Sequence, residues 1–165
     1  MKIVVNDQMQ KGYVYELTEA EGTNFASNFQ PELSPIEMLS MGVFEGKYLN
    51  DCQEEFPAKW FDHAKLSQTG ADIKCNYFGV KSRLSLQEWQ KRGWIIYPDP
   101  RGWFQWYCRY YYGRRIDSVD RIQIKRWRAF IRHKAQIEKN CWPGDLACRR
   151  KQRQALLQWA YNPLI

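Results

Sequence analysis

The feature that most constrains the fold is a run of ten residues, Trp103–Tyr112, with a glycine at each end. Its sequence, WFQWYCRYYY, would place aromatic side chains on every side of a helix. A helix that is apolar on all sides is typical of the centre of a domain. Asp99 and Pro100 precede the run as a capping residue and a first-turn proline. We therefore predict a central core helix over residues 101–112 that ends at Gly113.

Other segments predict helices around this one. Ser34 and Ser85 each begin a Ser-x-x-Glu capping box, which is typical of a helix start. Apolar residues at helical spacing predict a long helix over residues 118–139 and a final helix over about 146–161. We expect Asp145 to cap the final helix.

The first residues predict a small β element. β-rich runs at residues 2–5 and 13–17 are separated by polar residues and a glycine, which favours a hairpin. The 165 residues suit one domain, and no repeat, linker or low-complexity tract divides them. We predict a mainly α (α+β) class, with a single compact helical domain over residues 1–165 and a small N-terminal β-hairpin.

Charge is distributed unevenly along the chain. The net charge is +7, but residues 1–82 carry −5 and residues 83–165 carry +12, with all 13 arginines in the second half. This predicts an acidic N-terminal layer and a basic layer rich in arginine and aromatic residues. Either the basic layer meets a polyanion, or the two layers pack together and neutralise each other. We favour the polyanion, because arginine suits bidentate phosphate binding and base stacking.

One row of cations supports that preference. Arg121, Lys125, Arg128 and Arg132 have the spacing i, i+4, i+7 and i+11, which predicts a basic stripe on one side of the long helix. No acidic residue lies between Arg121 and Lys134, so the stripe would repel itself unless an anion lay on it. We predict that it follows a phosphate backbone, although most charged helix faces are simply solvated.

Two further basic groups extend the predicted nucleic-acid surface. Three arginines lie near the start of the final helix: Arg149, Arg150 and Arg153. Their positive charges are unfavourable beside the positive end of the helix dipole, and a bound anion would offset that cost. The second group follows the aromatic run. Three tyrosines in succession should not all point inward, so we expect one or two beside the arginines as a base-stacking surface. Its predicted members are Tyr110, Tyr111, Tyr112, Arg109, Arg114 and Arg115.

Three carboxylates are weak catalytic candidates: Asp99, Asp117 and Glu45. A carboxylate in an Arg-rich aromatic pocket would suit cleavage of an N-glycosidic bond on a flipped nucleotide. Asp99 and Asp117 also fit the simpler role of helix caps. We predict a nucleic-acid-binding protein, for DNA or RNA. The alternatives are a glycosylase-like hydrolase acting on a nucleobase or nucleotide, and an interaction module that docks an acidic protein partner.

The remaining patterns predict no cofactor and no bound metal. Five cysteines at irregular spacing favour free thiols. Cys141, Cys148 and His133 are possible zinc ligands, but their spacing matches no standard zinc pattern. No apolar run approaches the roughly 18 residues of a membrane helix, and the N-terminus is unlike a signal peptide. We therefore expect no membrane partner and a cytoplasmic location, and the pattern leaves the oligomeric state open.

Several segments resemble a family of small proteins from microbes and plants. The resemblance rests chiefly on DPRGWFQWYCRYYYGRR at residues 99–115, with support from residues 29–39, 42–48, 123–127 and 153–160. It extends over about residues 22–162. The resemblance implies a freestanding domain, and it carries no established activity and no catalytic residues.

Overall fold

The computed structural model describes residues 1–165, and its mainly α class with an N-terminal hairpin is the predicted one. The strands are β1 (Lys2–Asn6) and β2 (Lys11–Glu16). The helices are α1 (Pro35–Met41), α2 (Leu86–Lys91), α3 (Trp103–Tyr112), α4 (Asp117–Ala129), α5 (Ile131–Asn140) and α6 (Arg150–Gln158). Four 3₁₀ segments lie between α1 and α2, at Phe44–Gly46, Gln53–Glu55, Ala58–Phe61 and Ile73–Cys75.

Helix α3 is the central helix, as predicted. Every residue from Trp103 to Tyr110 is buried. Phe29 anchors the core against this helix, with ring-centroid distances of 5.4 Å to both Trp106 and Tyr110. Edge-to-face contacts of this kind add to the free energy of simple apolar burial.

The start of α3 differs from the prediction. Gly102, with φ +99°, occupies the position before the helix, so Asp99 does not cap it. Asp99 instead lies in the preceding turn with its side chain in the interior. Two buried arginines attract this carboxylate more strongly than free amides at a helix end would.

Strands β1 and β2 pair antiparallel, with Val4 opposite Val14. Alternation places Ile3, Val5 and Tyr15 on the buried face, against partly buried Tyr112 of α3. The Tyr15 hydroxyl donates to Glu55 Oε2 at 2.7 Å. The hairpin is therefore attached to the central helix by both apolar and polar contacts.

The predicted long helix is divided in two at Phe130. Phe130 keeps a right-handed backbone, but the hydrogen bonds around it become i to i+3, from its N–H to Trp127 O and from His133 N–H to its own carbonyl. Helix α6 also begins later than expected. Arg149, in the left-handed region at φ +55°, precedes it, so Asp145 does not cap it.

Cys141 and Cys148 form a disulfide, so the free-thiol prediction is wrong for these two residues. Cys52 and Cys108 are buried free thiols, and burial raises the pKa of Cys52 to about 12. Disulfides are uncommon in the reducing cytosol, so this bond and the predicted cytoplasmic location favour different compartments. No helix combines the length and the apolar character needed to cross a membrane.

Candidate nucleic-acid interface

Two arginines predicted to lie at the surface are instead buried in an ion-pair cluster. Arg109 donates to both Glu55 oxygens, at 2.8 and 3.0 Å, and to Asp99 Oδ1 at 2.9 Å. Arg114 donates to the two Asp99 oxygens at 2.8 and 2.7 Å. Two cations and two carboxylates thus balance each other. The prediction that Arg109 and Arg114 contact nucleic acid is wrong, and Asp99 is a structural partner that is sealed from substrate.

Arg153 and Arg115 are also held by the protein itself. Arg153 is fully buried and donates to the carbonyl oxygens of Cys148, Pro163 and Ile165. Arg115 is partly buried. It donates to backbone carbonyls, and its guanidinium lies 3.7 Å from the ring centre of Tyr110. Arg153 is therefore wrong as a binding residue, and Arg115 serves mainly to hold the loop before α1.

The three consecutive tyrosines do not form a stacking surface. Tyr110 is buried, and its hydroxyl accepts a hydrogen bond from Ala26 N–H. Tyr111 and Tyr112 are partly buried, each with its ring centre 5.8 Å from that of Trp60. All three pack inward because the hairpin and the loops on both sides of α1 enclose the end of α3. The prediction of exposed tyrosines is wrong.

The basic stripe does lie at the surface. Arg121, Lys125 and Arg128 are exposed on α4, and Arg132 is exposed on α5, two residues beyond the break at Phe130. Arg121 also donates to Asp117, and both side chains of this pair are more than three-quarters exposed. Asp117 is thus a surface ion-pair partner, and it lies at the rim of a shallow cavity of about 310 Å³ that Arg115 and Arg121 also line. Such exposed pairs stabilise by less than about 1 kcal/mol and are easily exchanged for another anion.

The cations around the start of α6 have mixed surroundings. Arg149 is exposed and donates to Gln152 Oε1. Arg150 is exposed overall, but its guanidinium is bound to Phe78 O. His133 Nδ1 lies 2.9 Å from Gln152 Nε2, and the disulfide occupies both cysteines of the possible zinc set. Of this region, Arg149 therefore remains open to a polyanion.

An aromatic groove that the sequence did not predict lies beside the stripe. Its volume is about 480 Å³. Aromatic side chains from α2 and the segment after it, the start of α3, the α4–α5 junction and the residue after α6 line it: Trp89, Trp94, Trp103, Phe130 and Trp159. Phe130 stacks on Trp159 with ring centres 4.9 Å apart, and Trp94 is 46% exposed. Arg132, the last residue of the stripe, also lines the groove.

A second arginine of this groove carries an unpaired charge. Arg126 donates to Trp94 O and Gln123 Oε1 and forms no ion pair. Burial lowers the pKa of Arg126, and no carboxylate opposes that effect. A half-buried guanidinium without a counter-ion is stabilised by an incoming anion.

The chain matches no protein-family model, no curated protein and no solved structure.

A more polar cavity of about 650 Å³ adjoins the groove, and Arg83 and Trp89 line both. Glu45, the third carboxylate candidate, lies at this cavity. Its side chain is 2% exposed and accepts from Arg83 Nε at 3.0 Å. The backbone of Phe44, Glu45 and Gly46 is left-handed at three successive residues, an arrangement concentrated at functional sites.

The acidic and basic halves also neutralise each other in part, as the second interpretation of the charge predicted. Five ion pairs join them: Arg83–Glu45, Arg101–Asp7, Arg101–Asp51, Arg109–Glu55 and Lys134–Glu32. The cations of the basic half that have no carboxylate partner include Lys125, Arg128 and Arg132 of the stripe and Arg126 of the groove. The sequence signal that could have found the groove is the concentration of tryptophan and arginine in residues 83–103, which are far from the stripe in sequence.

Proposed function

We propose that this protein binds single-stranded nucleic acid, with unpaired bases in the aromatic groove and the phosphate backbone along the basic stripe. The observation that carries the proposal is the double role of Arg132, which ends the stripe and lines the groove. A strand on the stripe would therefore reach the aromatic faces without crossing an acidic surface. Stacking on aromatic side chains beside arginine is the usual basis of single-strand binding.

The groove favours an unpaired strand over a duplex. Bases in a duplex are already stacked on one another, so the exposed ring of Trp94 would have nothing to receive. A stripe alone would suit either form, because phosphate contacts carry no strand preference. The protein would then bind RNA or DNA without reading a particular sequence.

The first experiment is fluorescence anisotropy with labelled single-stranded and double-stranded DNA and RNA, titrated at several salt concentrations. We expect single strands to bind more tightly than duplexes, with an affinity that falls steeply as salt rises. Equal binding of duplexes would contradict the role of the groove. No binding at low salt, or equal displacement by polyglutamate, would favour an acidic protein partner instead.

A matched pair of variants tests the groove itself. Trp94→Ala removes an exposed groove ring and should weaken single-strand binding about tenfold, the effect of one lost base stack. Trp142→Ala is the control, because Trp142 is 83% exposed and lies outside the groove. Equal loss in both variants would show that stacking in the groove does not hold the strand.

One observation favours a second candidate, a hydrolase acting on a nucleobase. Glu45 is a buried carboxylate at a concave site between Tyr48 and Arg83, as such an enzyme requires. Its Oε2 accepts a hydrogen bond from Arg83 Nε, and this ion pair would have to break before Glu45 could act as a general acid. Incubating the protein with single strands that contain damaged bases, and comparing Glu45→Gln, tests this candidate through release of the free base.

A further inference from the structure

We propose that the polar cavity adjoining the groove binds a phosphate monoester on a nucleotide, at the end of the strand that lies in the groove. This inference rests on the proposed function, because the strand leads into the cavity. The groove and the cavity are connected through residues that line both of them. Arg83 and Trp89 line both spaces, so a strand whose last base stacks on Trp89 places its terminal phosphate beside Arg83.

The charge of the cavity suits a dianion. Four cationic side chains line it, against two carboxylates. The cations are Lys47, Lys81, Arg83 and Arg101, and the carboxylates are Glu45 and Asp51. A phosphate monoester carries about −1.5 to −2 at pH 7, whereas each internal diester carries one negative charge. With Asp7, which lies 3.5 Å from the Arg101 guanidinium, three carboxylates oppose the four cations, and the remaining positive charge favours the more negative strand end over an internal phosphate.

Unused hydrogen-bond donors complete the site. Tyr48 Oη and Arg101 Nε are shielded from solvent and have no hydrogen-bond partner. Burial raises the pKa of Tyr48, so the phenol stays protonated and can donate. Glu45 holds Arg83 through Nε, and Arg83 Nη1 contacts Leu84 O, which leaves Nη2 without a partner. The oxygens of a monoester can accept from Arg83 Nη2 directly, and from Tyr48 Oη and Arg101 Nε once the side chains that shield these two atoms from solvent move aside.

The carboxylates do not obstruct this role, because both are already paired. Glu45 is bound to Arg83, and Asp51 accepts two hydrogen bonds from Arg101 at 2.9 and 3.1 Å. Asp7 lies 3.5 Å from the same guanidinium. These contacts orient Arg83 and Arg101 and leave Lys47 and Lys81 exposed for the phosphate.

The test compares one single-stranded oligonucleotide in three forms, with a 5′-phosphate, with a 3′-phosphate, or with hydroxyls at both ends. We expect one phosphorylated form to bind about tenfold more tightly than the hydroxyl form, as for a hydrogen-bonded charged group. Tyr48→Phe should remove most of that gain and leave the affinity for the hydroxyl form unchanged. Because the Tyr48 hydroxyl has no partner, this variant should fold normally.

Tyr77→Phe is the matched control, since Tyr77 is 40% exposed and lies outside both spaces. A second comparison uses Lys81→Gln with Lys139→Gln as its control. Only Lys81→Gln should reduce the gain in affinity that the terminal phosphate provides. A nucleoside monophosphate serves as competitor. If it displaces the phosphorylated strand as effectively as the strand displaces itself, the site holds a free nucleotide and the assignment to a strand end is overturned.

The remaining outcomes separate the two proposals. If the three forms bind equally, the monoester site is overturned and the groove proposal stands. If no strand binds but the nucleoside monophosphate binds wild-type protein and not Tyr48→Phe, the groove proposal and the assignment to a strand end are both overturned, and the cavity is a site for a free nucleotide. If neither strand nor nucleotide binds, both are overturned.

Discussion

At the scale of single residues, the same side-chain type serves opposite purposes in this protein. Arg109 and Arg114 are buried and paired with carboxylates, whereas Arg126 and Arg132 face the groove without a carboxylate partner. Burying a guanidinium costs least when its charge is balanced, as for Arg109 and Arg114, whereas the buried Arg153 has carbonyl partners and no carboxylate. Arginine content therefore overestimates the binding surface, and the unpaired arginines mark where an anion would be stabilised.

Asp99 tests the balance of the buried cluster. Asp99→Asn would leave the charges of Arg109 and Arg114 opposed by Glu55 alone, so we expect a loss of about 3–5 kcal/mol in the free energy of unfolding. Urea denaturation measures this loss. Asp117→Asn breaks an exposed pair and should change stability by less than about 1 kcal/mol. Similar small losses in both variants would show that the buried cluster contributes little.

At the scale of elements, the break between α4 and α5 brings a titrating group to the groove. The His133 ring lies 4.3 Å from the ring of Phe130, a groove residue, and its neighbour in the chain is Arg132. Burial and the charge of Arg132 lower the pKa of His133 below its usual 6.5. His133 therefore causes no loss in the free energy of unfolding above pH 6.5. The free energy of unfolding declines as the pH falls from 6.5 toward the lower pKa of His133 in the folded state, because the unfolded chain binds the proton more readily.

This geometry predicts that strand binding raises the pKa of His133, because a phosphate on Arg132 offsets the charge that lowers it. Arg132→Gln should raise the pKa without any ligand. An NMR pH titration of the imidazole resonances, with and without an oligonucleotide, measures both effects. The exposed His63 provides an internal comparison, and shifts of equal size at both histidines would contradict a local effect at the groove.

The end of α3 depends on a glycine for space as well as for backbone conformation. A Cβ atom at Gly113 would lie 2.2 Å from Glu19 O, whereas one at Gly93 would meet nothing within 4 Å. Both residues have positive φ, so each alanine variant should lose about 1–2 kcal/mol from backbone strain. Gly113→Ala should lose at least about 2 kcal/mol more, because the backbone must move. Equal losses in thermal or urea unfolding would contradict this account.

At the scale of the whole molecule, the charge asymmetry is only partly used to hold the halves together. Stripe residues Lys125 and Arg128 remain exposed after the interior pairs have formed. The double variant Arg121→Glu with Arg128→Glu should therefore weaken strand binding and reduce the slope of log affinity against log salt by about two. Anisotropy titrations at several salt concentrations measure this slope.

Lys11→Glu with Lys74→Glu is the control, because it changes the net charge equally on exposed residues outside the stripe and the groove. This control should retain most of the affinity and the original slope. An unchanged affinity in Arg121→Glu with Arg128→Glu would end the case for the stripe.

Local signals in the sequence were sufficient for the central helix, the N-terminal hairpin and the start of α1, but not for the break at Phe130 or the start of α6. The Ser34 capping box is present in full, with Glu37 N–H bound to Ser34 Oγ and Ser34 N–H bound to Glu37 Oε1. The aromatic run forms the central helix, and the N-terminal alternation forms the hairpin. These features depend on residues within a few positions of each other, so the local sequence is sufficient to specify them.

The site depended on contacts that no local pattern contains. Arg83 meets Glu45, and Arg109 meets Glu55, across 38 and 54 residues of sequence. The groove assembles Trp89, Phe130 and Trp159 from three separate elements. Sequence alone determined which segments are helical and that cations predominate in the second half. Only tertiary packing decided which of those cations are neutralised in the interior and which face solvent, because burial forces each charge to find a partner.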